Sequence, residues 1–282
     1  MPRIEALSAF APTALTPAHG IAHRAVQLLT SAARANLEAE PDDSHSNLGW
    51  EGEGRRFLTH PLSDGGQAQI GLSLAPLRLT VLSRGLEIAS RDLAGLAYSD
   101  AGNWLDVRLG ELGLKPASTV NLPYDLPSEA ESIEVFPTDR HGEELQTLSA
   151  WFDLAQRLIS SFAAARADLK PGPSPVRCWP HHFDLASYVQ LEEGDFETAK
   201  GIGVGMSPGD ETYGQPYFYI NPWPRLDLAE LPDLPAPGHW HREGFVGAIA
   251  TGEDVLTLQE VERGLSAFID TAFDLGRMKL GA

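Results

Sequence analysis

The sequence predicts an α+β fold in which antiparallel sheets are covered by long helices, and two observations support this class. Two stretches place apolar residues at steps of three or four, as on one face of a helix: Leu145 to Phe162 and Leu258 to Leu275. Short apolar runs between turn residues also follow one another with no helix between them, which excludes alternating βαβ units. The same order of elements occurs twice, which leaves open two similar halves, 1–138 and 139–282, packed as one globular unit.

The first half contains a helix, a strand meander and a second helix. Thr16-Pro17 is a typical helix start, and it predicts a helix over about 17–39. Leu48-Gly49-Trp50 and Phe57-Leu58 are candidate short strands. Three further strands, Ala68–Leu74, Leu77–Ser83 and Leu86–Arg91, form an antiparallel meander with a tight turn at Arg84-Gly85. A helix capped by Asp100 follows, and the proline-containing stretch from Lys115 to Pro137 marks the seam between the halves.

The second half begins and ends with a long helix, predicted over about 141–167 and about 254–276. The strands between them are predicted at about 175–179, 184–191, 198–206, 216–221 and 241–249. Each helix has a single apolar stripe, so we expect both helices to cover one face of the sheet and to bury Leu148, Phe152, Ile159, Leu265 and Phe268.

Composition restricts the classes of partner. The 282 residues carry a formal net charge of −18, and no Lys/Arg-rich run offsets it, so nucleic acid and anionic membrane surfaces are disfavoured and a small molecule or a protein is expected. The sequence has no apolar run long enough for a signal peptide or a membrane span. A single cysteine excludes an intrachain disulfide. These features indicate a cytoplasmic protein.

The densest chemistry lies in the eight residues Cys178 to Leu185, which contain two histidines, a tryptophan, the single cysteine and an acid. On a strand, His182 and Asp184 would point to the same face. Such a pair is typical of a catalytic base held by a carboxylate, or of two metal ligands. The alternative is a strand entry at Pro180 where alternation fails and the histidines fill polar gaps. His19 and His23, four apart on the first helix, also have metal-ligand spacing.

A second histidine pair, His239 and His241, has strand spacing. If the two stretches converge, His182, Asp184, His239 and His241 complete a four-ligand set for a divalent metal, the only cofactor that the sequence suggests. A solvated rim explains the pair equally well.

Aromatic residues are concentrated in the same quarter of the chain. Those that we expect to line a pocket for a flat or cationic ligand are Trp179, Tyr217, Tyr219, Trp223 and Trp240. The sequence therefore predicts a soluble small-molecule-binding protein with an aromatic- and histidine-lined pocket, and the alternative is a metal-dependent hydrolase. No motif decides whether it is an enzyme.

Three glycines at alternate positions, Gly201, Gly203 and Gly205, invite comparison with a phosphate-binding loop. No helix is predicted after them to hold a phosphate, so we expect a flat strand surface against which a ring can lie.

The stretch Pro175 to Ala186, which includes Trp179-Pro180-His181-His182-Phe183-Asp184-Leu185-Ala186, and the later Tyr217-Phe218-Tyr219-Ile220-Asn221-Pro222 resemble a bacterial protein family known as a domain of unknown function. The resemblance covers most of the chain after Thr16. It implies the same order of helices and strands, and it implies no activity.

Overall fold

The computed structural model describes residues 4–63, 67–138, 141–195, 198–227, 231–243 and 245–282. The helices are α1 Ile4–Leu7, α2 Thr16–Asn36, α3 Tyr98–Glu111, α4 Ser128–Glu131, α5 Gly142–Ala164, α6 Gly252–Leu256 and α7 Val261–Leu280. The strands are β1 Gly49–Glu51, β2 Arg56–Leu58, β3 Ala68–Leu74, β4 Leu77–Ser83, β5 Leu86–Asp92, β6 Gly172–Pro173, β7 Arg177–Trp179, β8 Asp184–Gln190, β9 Gly201–Ser207, β10 Tyr217–Trp223, β11 His239–His241 and β12 Gly247–Thr251. Helices with antiparallel sheets confirm the α+β class.

The chain divides into two compact units, which are described separately. The N-terminal unit comprises Ala14–Ser149 and Cys178–Phe183; the C-terminal unit comprises Met1–Thr13, Ala150–Arg177 and Asp184–Ala282. This division differs from the sequence prediction, which placed the boundary at 138/139 and all of Cys178–Phe183 in the second half. The difference has a physical cause, because Cys178 exchanges two backbone hydrogen bonds with Leu48, at 2.8 and 2.9 Å.

The N-terminal unit is built on α2 and a five-stranded antiparallel meander in the order β1-β2-β3-β4-β5. Nearly every residue of α2 from Ala18 to Ala35 is buried, so this helix lies at the centre of the unit's core. The predicted turn between β4 and β5 is confirmed: Arg84 and Gly85 both have positive φ, 55° and 75°, as a two-residue hairpin turn requires.

In the C-terminal unit the strands of the second antiparallel sheet follow the order β11-β12-β10-β9-β8-β6. Along β10 burial alternates: Phe218 and Ile220 are fully buried, whereas Tyr219 is half-buried and Asn221 exposed. Helix α7 covers the buried face, and a Cβ added to its Gly276 would lie 3.1 Å from Pro222 and 3.3 Å from Ile202. The second half of α5 contacts α7 through Phe162 and Phe273, with ring centroids 5.0 Å apart.

Leu148, Phe152, Ile159, Leu265 and Phe268 are buried as predicted, each 0% exposed, but Leu148 belongs to the N-terminal unit and not to the unit whose sheet it was expected to cover. Three predictions about elements are wrong. Asp100 lies in the first turn of α3 and does not cap it, since the N-cap residue is Ala97. The final helix is split into α6 and α7, since the segment after Leu256 turns before α7 begins at Val261. The predicted strand 241–249 is two antiparallel strands, β11 and β12, in which His241 is paired with Gly247. Among the described helices, none is long and apolar enough to cross a membrane.

Candidate functional site

The predicted site residues are distributed over both units. Trp179 and His182 belong to the N-terminal unit, whereas Asp184, Tyr217, Tyr219, Trp223, His239, Trp240 and His241 belong to the C-terminal unit. Each unit therefore has its own arrangement of aromatic and histidine side chains.

Residues Pro180 to Phe183 form a turn, and His182 is exposed on it. The carbonyl of Trp179 accepts hydrogen bonds from the backbone N–H groups of His182 (3.2 Å) and Phe183 (2.7 Å), and Phe183 has a φ of 57°. Strand β8 begins only at Asp184. The strand alternation that would give His182 and Asp184 a common face is therefore absent, and this part of the prediction is wrong. Proline at the start of the turn is the sequence signal for it.

Phe183 lies on two histidines of α2. The rings of His19 and His23 are stacked on each other with centroids 5.6 Å apart, and Phe183 is stacked on both, at 5.8 and 5.2 Å. We call His19, His23 and Phe183 the histidine stack. Its histidines share one helix face, as their spacing predicts, and both are buried, 9% and 1% exposed.

The carbonyl of Pro180 fixes the turn to α2. It accepts hydrogen bonds from His23 Nε2 and from Gln27 Nε2, both at 2.9 Å, and Tyr124 donates its hydroxyl to Gln27 Oε1 at 2.8 Å. A carbonyl oxygen only accepts, so the proton of the neutral His23 ring is on Nε2. These contacts give His23 a structural role.

Burial keeps the histidine stack neutral. Desolvation lowers the pKa of His19 to about 4. Desolvation, reinforced by the neighbouring His19, lowers the pKa of His23 to about 3, and burial also lowers the pKa of His181 to about 4. Near neutral pH these imidazoles therefore carry no charge.

In the C-terminal unit, three tyrosines lie close together: Tyr217 and Tyr219 on β10, and Tyr213 in the loop before it; Tyr217 is buried, and the other two are half-buried. Tyr219 donates its hydroxyl to Asp184 Oδ2, and Tyr217 donates to Asp210 Oδ2 at 2.6 Å. The Tyr217 ring lies 6.2 Å from that of Tyr219 and 5.0 Å from that of Tyr213. We call Tyr213, Tyr217 and Tyr219 the tyrosine row. The structure thus brings the predicted Asp184, Tyr217 and Tyr219 together.

Two predicted histidines are at the other end of the tyrosine row. The Tyr213 hydroxyl is 2.8 Å from His241 Nδ1 and 3.3 Å from His239 Nε2. His241 Nε2 contacts the carbonyl of Glu243, so in the neutral ring this nitrogen carries the proton and Nδ1 accepts from Tyr213. Both nitrogens of His241 are therefore engaged, and this ring is positioned to hold Tyr213 rather than a metal.

The alternating glycines of β9 form a flat strand surface on which the rings of Tyr219 and Tyr188 lie. Gly205 is paired with Tyr219, and a Cβ at Gly205 would overlap the Tyr219 ring. A Cβ at Gly201 would overlap the ring of Tyr188 in the same way, while Gly203 has 3.8 Å of clearance. The predicted flat surface is thus present, and tyrosine rings lie on it.

The charges acting on the tyrosine row are negative. Burial raises the pKa of Tyr217, and the carboxylates of Asp210 and Asp184 add to this rise. The pKa of Tyr213 is raised by burial and then by Asp210 and Asp254. The raised pKa values keep the phenols of Tyr213 and Tyr217 neutral near pH 7.

The predicted tryptophans are not gathered with the row. Trp223 alternates with Tyr219 along β10 and so shares its face, with 45% of its surface exposed. Trp240 occupies the other parity on β11, where its Nε1 donates to the carbonyl of Pro232 at 2.9 Å. Trp179, in the N-terminal unit, contacts His181 with ring centroids 6.2 Å apart.

The proposed four-ligand metal set does not assemble. In the part of the chain that the structure describes, no three His, Cys, Asp or Glu side chains lie together in an arrangement that would hold a metal ion. Cys178 is buried.

Sequence reasoning missed Tyr213 and Asp210, which complete the row. Asp210 orders the loop before β10, because its Oδ1 accepts from the N–H groups of Thr212 (2.8 Å) and Tyr213 (2.7 Å). The signal was the Asp after Pro208-Gly209, a turn pattern in which the carboxylate binds the backbone two residues on.

Comparison of the chain with protein-family models, with curated proteins and with solved structures finds no match.

Proposed function

We propose that the C-terminal unit binds a small, flat organic cation on the exposed face of its sheet, at the tyrosine row. One observation carries the proposal: the rings of Tyr213, Tyr217 and Tyr219 follow one another with centroids 5.0 and 6.2 Å apart, and their hydroxyls are bonded to His241, Asp210 and Asp184, respectively.

The charge of the site selects the class of ligand. The ionised groups that act on Tyr213 and Tyr217 are Asp184, Asp210 and Asp254, all carboxylates. A cation next to them gains Coulomb energy and, over a phenol ring, a cation–π contribution of about 0.5–2 kcal/mol. The protein's formal charge of −18 adds long-range attraction of the same sign.

The shape of the site selects a flat ligand. Gly203 leaves an uncovered strip of strand beside the Tyr219 ring, and the neighbouring Asn221 is exposed. Glycine permits a planar group to approach the backbone closely. An amidine or an aminated heteroaromatic ring can place its N–H donors on the carboxylates while its face contacts the phenols.

Two probes that differ in charge and match in size test this function. Benzamidine supplies an aromatic cation and benzoate the corresponding anion. We expect isothermal titration calorimetry to detect benzamidine binding and no benzoate binding. Equal binding of both compounds, or of neither, would contradict the proposal.

The glycine strand offers a matched pair of variants. Gly205→Ala places a methyl group where the Tyr219 ring lies, so the ring must leave and its hydrogen bond to Asp184 is lost. Gly203→Ala adds the same methyl group where the nearest atoms are 3.8 Å away. We expect benzamidine affinity to fall about tenfold in both variants, in the first because the Tyr219 ring is displaced and in the second because the methyl group occupies the strip on which the ligand lies, while only the first variant should lose stability. Tyr219→Phe keeps the ring and removes only the hydroxyl. This variant therefore distinguishes an affinity loss caused by the missing hydroxyl from one caused by unfolding.

Metal-assisted hydrolysis through His182, Asp184, His239 and His241 stays a prediction of the sequence. The geometry adds no observation in its favour, since the described residues hold no group of three ligands. Binding of at least one equivalent of zinc by the purified protein, measured by elemental analysis, would favour it over the cation site.

A further inference from the structure

A cleft of about 360 Å³ is present in the C-terminal unit, away from the tyrosine row. Its lining is formed by Lys200, Pro224, Arg225, Leu226, Asp227, Lys279 and Leu280. None of these was predicted as a site residue. The volume is at the lower end of the range of small-molecule sites, about 300–1,000 Å³.

The charge of the cleft is opposite to that of the protein. Three of the lining residues are cations and one, Asp227, is an anion, so the lining carries +2. The whole chain carries −18. Glu192 is 3.8 Å from Lys200 Nζ. This ion pair is exposed and therefore weak, so a ligand that takes the place of Glu192 loses little free energy by breaking it.

Three separate elements supply the cations. Lys200 directly precedes β9, Arg225 follows the end of β10, and Lys279 is in the last turn of α7. A cation in the last turn interacts favourably with the helix dipole, which accounts for Lys279 alone. The helix dipole explains neither Lys200 nor Arg225, which strands bring to the same cleft.

The end of α7 is compatible with an anion nearby. The N–H groups of Gly281 and Ala282 bond the carbonyls of Met278 (3.1 Å) and Arg277 (3.2 Å). These carbonyls are therefore capped, which reduces their repulsion of a negative ligand. Pro224, Leu226 and Leu280 form an apolar wall for the uncharged part of the ligand.

We propose that this cleft, lined by Lys200, Arg225 and Lys279, binds a small organic anion with two or more negative charges. Phosphate esters and polycarboxylates share this chemistry. Arginine binds the oxygens of either group through two parallel N–H donors, and lysine adds a point charge.

Titration of the intact protein tests the proposal with inorganic pyrophosphate and citrate as probes, against sodium chloride at equal ionic strength. We expect at least one polyanion to bind in calorimetry, and the preferred one identifies phosphate or carboxylate as the ligand's charged group. Affinity should fall about tenfold in Lys200→Gln and in Arg225→Gln, because each loses one charge-assisted contact.

Arg263→Gln is the matched control. Arg263 is on the same helix as Lys279, its side chain is 84% exposed, and it pairs with Glu260 away from the cleft. Affinity in this variant and in Gly205→Ala should equal that of the wild type. The absence of binding by either polyanion, or the same loss in Arg263→Gln as in Lys200→Gln, would overturn the proposal.

Discussion

Acid should destabilise this protein between about pH 7 and pH 5 through the histidine stack. Unfolding exposes His19 and His23 to water, where each has its ordinary pKa of 6.5, whereas burial holds them at about 4 and about 3 in the folded protein. Because the pKa values of these histidines are lower in the folded protein than in the unfolded chain, the unfolded chain binds more protons at the same pH. Stability is therefore complete above about pH 6.5 and is lost progressively as the pH falls towards the folded pKa values.

The magnitude follows from the pH interval. At about pH 5 the unfolded histidine is about 1.5 pH units below its pKa, while the buried one is still neutral, and each unit is worth about 1.4 kcal/mol. Each buried histidine therefore removes about 2 kcal/mol, and the two together about 4 kcal/mol. Small domains have only about 5–15 kcal/mol of total stability, so the effect is large. His181 and His45, whose pKa values are also lowered by burial, act in the same direction.

Urea denaturation at about pH 7 and at about pH 5, followed by circular dichroism, measures the loss of unfolding free energy. His19→Phe keeps a ring on Phe183 and removes one titrating group, so its pH dependence should be about 2 kcal/mol smaller than that of the wild type. His239→Gln, on an exposed histidine, should keep the wild-type dependence. A wild-type protein equally stable at both pH values, or an unchanged slope in His19→Phe, would refute the argument.

Four further substitutions test the packing. Phe268→Ala should cost about 3–5 kcal/mol of unfolding free energy, because the ring is fully buried. His182→Ala, on the exposed turn, should change the urea midpoint little. Equal losses of stability in the two variants would show that His182 has a structural role. Tyr124→Phe should cost about 1–3 kcal/mol, since the oxygen of the buried Gln27 loses its donor, and an unchanged thermal midpoint would show that Gln27 has another partner. Gly85→Val should cost about 1 kcal/mol from its positive φ of 75° alone, because a Cβ there has no neighbour within 4 Å, and a larger loss in urea titration would indicate a contact not seen.

Predictions from the sequence were most accurate where one chain segment contains the whole signal. The apolar stripes of α5 and α7 and the meander β3–β5 were predicted closely, because helical and strand periodicity depend on local spacing alone. The helix break after Leu256 was missed, since the apolar stripe continues through it while the backbone turns.

The candidate site was predictable only in part for the same reason. Asp184, Tyr217 and Tyr219 were identified from their chemistry, but strand register decides that they meet, and Tyr213 joins them only because Asp210 orders the preceding loop. Because the chain turns at Phe183, His182 and Asp184 do not share a strand face. Contacts with α2, more than a hundred residues earlier in the chain, hold this turn.

The sequence by itself determined the α+β class, the helical stripes, the acidic charge and the residues able to do chemistry, since composition and spacing are properties of the chain alone. Tertiary structure decided which of those residues meet: the histidine stack is buried and neutral, the Tyr219 ring of the tyrosine row lies on Gly205, and three cations far apart in sequence line one cleft. Long-range pairing and burial set those distances and pKa values, and neither is encoded in the spacing of a single segment.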